Sequence, residues 1–160
     1  MGARYMQWEP EGKTVFQVFH HTIDYTKVIL DSGVGAGGRP FTVPDLWYGG
    51  FRIYIGPTVY WNVLVHELTH VWQGINGPTT VSYIFNSILC QAAFWTSAYD
   101  YTLGEPWDRY GCEQQAQIVE DWWKRGHSTS DAAFHYIRDH VWKGDTGMGF
   151  KSSDFENLPF

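Results

Sequence analysis

The sequence predicts an α+β fold: one mainly helical domain with a small N-terminal sheet whose edge strand borders the helix that carries the most informative motif. Three observations point to it. Short alternating or β-branched runs are confined to the first third of the chain, at 15–19, 28–30 and 51–55. Beyond residue 57 the apolar residues recur at helical spacing in longer segments. The length, 160 residues, suits a single domain that buries its own core.

Taken in order, residues 1–13 are polar and turn-rich and read as a loosely attached arm. Residues 15–19 (Val-Phe-Gln-Val-Phe) alternate and read as a strand, with a short helix onset as the alternative. Residues 28–30 are a second short apolar run. It closes at 31–40, where Gly33, Gly35, Gly37, Gly38 and Pro40 make the strongest loop signal in the chain. No Gly-Lys-Ser/Thr follows, so the glycines read as a flexible loop and not as a phosphate cradle. Residues 51–55 alternate and stop at Gly56-Pro57, a strand feeding directly into a helix.

That helix is expected over 58–73, with Pro57 or Thr58 at its start and Gly74 or Gly77-Pro78 as its stop. A second, apolar helix is expected at 79–95 as core packing, followed by a loop at 97–106. A third helix starts near Tyr110 and ends at Gly126. A fourth covers about 132–142, with an N-cap within 128–131. Residues 144–160, rich in Gly, Ser and acidic side chains, read as a tail within the same domain.

Composition narrows the function. A formal charge of −6 with no basic patch argues against a nucleic-acid partner. No apolar run reaches transmembrane length, and the first residues lack the apolar stretch of a signal peptide. Aromatic residues make up 18% of the chain, enough for a core of large side chains or an aromatic-lined cleft. Of the two cysteines, Cys90 lies in an apolar stretch, and Cys112 precedes a candidate metal ligand.

The helix at 58–73 contains His66-Glu67-Leu68-Thr69-His70, an H-E-x-x-H motif. On a helix the two histidines lie one turn apart on one face and can reach the same ion. Glu67 stands beside the first, where its carboxylate can take a proton from a water that the metal activates. Asn62, His66, His70 and Gln73 recur at spacings of three and four, one polar stripe on an otherwise apolar helix. The expectation is a buried helix whose stripe faces a cleft holding Zn2+.

A catalytic zinc needs a third protein ligand. None follows within a few residues of His70, so it must come from a later segment. The candidates are Glu113, Glu120, Asp121, His127, His135 and His140. Glu113 is preferred because Ala116 gives it the small neighbour that close packing of two helices requires; Glu120 and Asp121 are its rivals.

His66-Glu67-Leu68-Thr69-His70-Val71-Trp72-Gln73, with Glu113-Gln114-Gln115-Ala116 further on, resembles the glutamate-zincin metallopeptidases. More narrowly it is similar to the C-terminal metallopeptidase toxin domains of type VI secretion spike proteins of the valine-glycine-repeat family and of Rhs-associated proteins. The resemblance covers roughly residues 50–125. It implies a zincin-like fold, with His66, His70 and Glu113 as zinc ligands and Glu67 as general base. It further implies an antibacterial effector on a spike or Rhs carrier, delivered without a signal peptide. Such an effector would act in the periplasm of a target cell and be countered by an immunity protein. Many glutamate zincins place an Asp four residues after the ligand Glu to orient a histidine; here Gln117 stands there.

The expected activity is zinc-dependent hydrolysis of peptide bonds in a peptide or protein substrate. An oxyanion donor is sought among Tyr110, His127, His135 and His140, and the strand at 51–55 is offered as the edge on which an extended peptide pairs. Two other readings stand beside this one. In the first, a non-catalytic zinc-bearing binding module would be marked by a fourth protein ligand such as Cys112 or His140. In the second, the site is a zinc amidase acting on peptidoglycan peptides.

Overall fold

A computed structural model of the chain describes residues 4–5, 10–77 and 99–147. Their elements run β1 (Arg4–Tyr5), α1 (Pro10–Phe19), β2 (Val28–Asp31), β3 (Phe41–Asp45), β4 (Gly50–Tyr54), α2 (Trp61–Asn76), α3 (Cys112–Lys124) and α4 (Phe134–Asp139), with short 3-10 turns between them. The predicted helix at 79–95, with Cys90, and the last residues of the predicted tail, 148–160, lie outside the described residues.

The architecture is mixed α+β, with a four-stranded sheet in the order β1-β2-β4-β3. The short apolar run at 28–30 and the predicted strand at 51–55 form its centre. β2 and β4 lie parallel, with Ile29 opposite Arg52 and Leu30 opposite Ile53. β1 joins β2 antiparallel, and β3 joins β4 as an antiparallel hairpin. Phe51 and Ile53 of β4 turn inward, as strand alternation requires. At the start of β4 a Cβ on Gly50 would overlap the Lys27 carbonyl oxygen, so only glycine lets the chain enter beside β2.

Four expectations change here. Residues 15–19 are helix, the last half of α1. A run of Val-Phe-Gln-Val-Phe fits both periods, and the buried set (Val15, Val18 and Phe19) shows that the spacing of three and four prevails. The arm at 1–13 is partly built into the fold, with Arg4 and Tyr5 paired to Leu30 and Ile29 and Pro10 opening α1. The edge strand that borders the site helix is β3, not β4, which has neighbours on both sides. β3 was hidden by Pro44, yet proline within a sheet is confined to edges because it cannot donate to a ladder. Finally, the tail is anchored at its start: Thr146 is buried, and its carbonyl accepts from Gln115 Nε2.

The core joins α1, the sheet, α2 and α3, and includes Val18, Leu30, Ile53, Leu64, Leu68, Trp72, Ile118 and Trp122. α2 starts and ends three residues later than expected, at Trp61 and Asn76, and closes where Gly77 N–H reaches the Gln73 carbonyl. It is buried without a break from Leu64 to Gly74, with Thr42 of β3 against Glu67 and α3 against its polar stripe. α4 is shorter than the predicted 132–142, its last residues passing into a 3-10 turn at Val141–Lys143.

Candidate metal centre

The stripe on α2 faces α3, and each of its members meets a polar group there. Asn62 Nδ2 donates to Glu120 Oε1 at 2.8 Å, and His66 lies between Glu120 and Glu113. His70 Nε2 is 3.3 Å from Glu113 Oε2, and Gln73 Nε2 donates to the Cys112 carbonyl and to Gln115 Oε1. Early residues of α2 thus meet late residues of α3, so the helices run antiparallel. Their shared face is a polar seam inside an apolar core.

Hydrogen bonds at the outer ring nitrogens fix both imidazoles. Glu120 Oε2 lies 3.1 Å from His66 Nδ1. Burial opposes its ionisation, but His66 and Asn62 hold the Glu120 carboxyl below its ordinary range, so it accepts and Nδ1 carries the proton. At His70 the network sets the orientation of the Gln73 amide. Gln115 Nε2 donates to the Trp107 and Thr146 carbonyls, leaving Gln115 Oε1 to accept from Gln73 Nε2. Gln73 Oε1 then faces His70 Nδ1 at 2.9 Å and accepts from it. Both Nε2 lone pairs consequently point inward, at the Glu113 carboxylate.

Three buried acceptors on one spot demand a cation. His66 Nε2 and His70 Nε2 lie 3.1 and 3.3 Å from Glu113 Oε2, and the three residues are no more than 8% exposed. Glu113 Oε1 is buried with no hydrogen-bond partner. In the absence of metal, protons must serve. Burial would keep His66 neutral, yet Glu113 and Glu120 outweigh it and push its pKa up to about 10. The same contest raises the His70 pKa, with Glu113 overcoming burial, while the histidines hold Glu113 far below the usual carboxylate range. A divalent ion meets the demand without protons. Around a tetrahedral zinc with bonds of about 2.0–2.1 Å, ligand atoms sit about 3.3 Å apart, close to the 3.1 and 3.3 Å that separate Glu113 Oε2 from the two histidine nitrogens. Two imidazoles and one carboxylate are also a donor set that leaves zinc an open position. The residues fit the ion.

No family model matches the chain, and no curated protein or solved structure matches it significantly. The site therefore stands on its own geometry.

Glu67 lies on the adjoining face of α2 and is buried. Thr42 Oγ1, from edge strand β3, donates to Glu67 Oε2 at 2.7 Å. Tyr99, half-buried in the loop before α3, brings its ring to 5.8 Å from that of His66. Burial raises the Tyr99 pKa first, then the Glu113 and Glu67 carboxylates, so its hydroxyl keeps its proton beside the cluster.

The remaining candidates lie elsewhere. Gln117 does not take the place of the orienting Asp; its Nε2 donates to Asp121 Oδ1. Tyr110 is packed among Trp107 and Tyr136, its hydroxyl donating to the Thr102 carbonyl. His135 and His140 line a separate open hollow with Glu105, Asp108 and Asp145, where His140 stacks on Trp107. His127 stacks on Trp123. Neither Cys112 nor His140 joins the candidate metal-binding group among the described residues. Glu120, a rival for third ligand, instead backs His66, while Thr42 and Tyr99 were not singled out from the sequence at all. One signal was available for Glu120. A residue seven places from Glu113 returns to within about 20° of its face, closer than one four places on.

Proposed function

We propose that the chain is a zinc-dependent metallopeptidase. One observation carries this reading: His66, His70 and Glu113 bring one ligand atom each within 4.8 Å of the others while Glu67, outside that group, accepts from Thr42. A site that only stabilised a surface would have no use for that second carboxylate and would close its shell with a fourth protein ligand.

Zinc, when bound, supplies a Lewis acid toward water and the scissile carbonyl. The chain supplies the proton traffic. Glu67 accepts a proton from the attacking water and returns it to the leaving amine, and the Thr42 hydroxyl fixes which carboxylate oxygen is free to do so. Tyr99, whose ring lies beside that of His66 and whose phenol keeps its proton, is the donor proposed in place of Tyr110, His127, His135 and His140 to meet developing negative charge. β3 is an edge strand running past Glu67, so an extended peptide laid along it by backbone pairing would pass the site. Burial of the cluster limits water and strengthens each of these interactions.

The motif pair also supports a narrower reading as an antibacterial effector domain, acting in the periplasm of a target cell and opposed by an immunity protein. Periplasm-directed expression that arrests growth only with an intact Glu67 would support it; equal toxicity of the Glu67→Ala form would not.

The deciding experiment is at Glu67. Glu67→Ala is expected to retain stoichiometric zinc by elemental analysis and to lose about 10²- to 10⁴-fold in peptide turnover, the usual share of a general base. Wild-type turnover by the zinc-loaded variant would sink the proposal.

A further inference from the structure

Building on the zinc reading, we infer that Glu120, held by Asn62, is a positioning residue that makes His66 a stronger metal donor than His70. Asn62 and His66 stand four residues apart on α2 and grip one carboxylate between them, each using a different oxygen. Asn62 Nδ2 donates to Oε1 at 2.8 Å, and His66 Nδ1 donates to Oε2 at 3.1 Å. Glu120 is 9% exposed, and its other near cation, Lys124, approaches only to 4.0 Å. A buried carboxylate behind an imidazole fixes its tautomer, aims its ring and raises its basicity toward a metal.

Behind His70 the group that meets Nδ1 is a neutral amide, not a carboxylate: Nδ1 donates to the amide oxygen of Gln73. The amide is required there, because Gln73 Nε2 must also donate to the Cys112 carbonyl and Gln115 Oε1. A carboxylate at residue 73 would face two acceptors with none of its own protons to offer. The two histidines are thus backed unequally by construction. Gln117, bonded to Asp121, takes no part.

The test is zinc affinity by chelator competition on the folded protein, with Glu120→Gln, Glu120→Ala and Gln117→Ala. Glu120→Gln can keep an acceptor for His66 Nδ1 while losing the charge and should bind zinc about 10- to 100-fold more weakly. Glu120→Ala should be weaker still, and Gln117→Ala should bind as the wild type does. Wild-type affinity in Glu120→Gln would overturn the inference. A wild type that binds no zinc would instead overturn the metal assignment on which it rests. Nitrogen-15 spectra of the zinc-loaded wild type give a readout that needs no variant to fold. His66 and His70 should both carry their proton on Nδ1, with the His66 proton the more deshielded of the two. The reverse order would also overturn it.

Discussion

At the scale of single residues, the proposed metal-binding cluster would make the protein's response to pH depend on whether zinc is present. The His66 pKa rises from an ordinary 6.5 to about 10 in the folded protein. A group whose folded pKa is raised stabilises the fold most below its unfolded pKa, and that contribution is lost as pH climbs through the folded value. Metal-free protein should therefore lose thermal stability between about pH 6.5 and 10, measured by melting curves across that range. Zinc affinity should rise over the same range, because the ion displaces the proton it replaces. A His66→Ala variant should show neither effect to the same degree. A metal-free wild type equally stable across this interval would mean that His66 holds no extra proton. Much of the site at this scale was legible from sequence. His66, Glu67 and His70 are local on one helix, so spacing alone places them. Glu113 followed from helix-packing logic. Thr42 and Tyr99 were not legible, since each reaches the site through a tertiary fold of loops and an edge strand that no local period encodes.

At the scale of elements, the proposed function depends on how closely α2 and α3 approach. Glu113, Ala116 and Glu120 share the face of α3 turned toward the α2 stripe, and Ala116 is completely buried between the two carboxylates in sequence. A small side chain there lets Glu113 Oε2 stand 3.1–3.3 Å from both imidazoles. Ala116→Leu would force three extra carbons into a filled seam, a change that costs about 1–3 kcal/mol when a packed core is overfilled. It should lower the melting temperature and weaken zinc binding together, because residue 116 lies on the face of α3 that carries the proposed ligand Glu113. Chelator competition and melting curves on one sample check both. Weakened binding without lost stability would point to a local fault at Glu113 instead. The elements themselves were legible where one period ruled, as in α2, α3 and β4. They were misread where two periods fitted, as at Val15–Phe19 within α1, and where Pro44 masked a strand that it in fact marks as an edge.

At the scale of the whole molecule, the candidate ion is a cross-link between distant parts of the chain. His66 and His70 lie on α2 and Glu113 on α3, more than forty residues apart, with the sheet packed against one face of α2 and α3 against another. Without metal, extra protons on the histidines bridge the buried acceptors of the seam between these helices, and zinc would replace them. A ligand that binds only the folded state stabilises it by an amount set by its concentration relative to its Kd, about 4 kcal/mol at a thousandfold excess. Zinc should therefore raise the melting temperature markedly, and a strong chelator should return it to the metal-free value. The control is the His66→Ala/His70→Ala double variant, which removes two of three ligands along with the buried charge they must share with Glu113. Its melting temperature should not respond to zinc or to chelator. The response of the wild type should also shrink toward acid pH, where protons occupy His66 and His70. A wild type whose melting temperature ignores zinc at neutral pH would show that the convergence of acceptors is answered by protons alone.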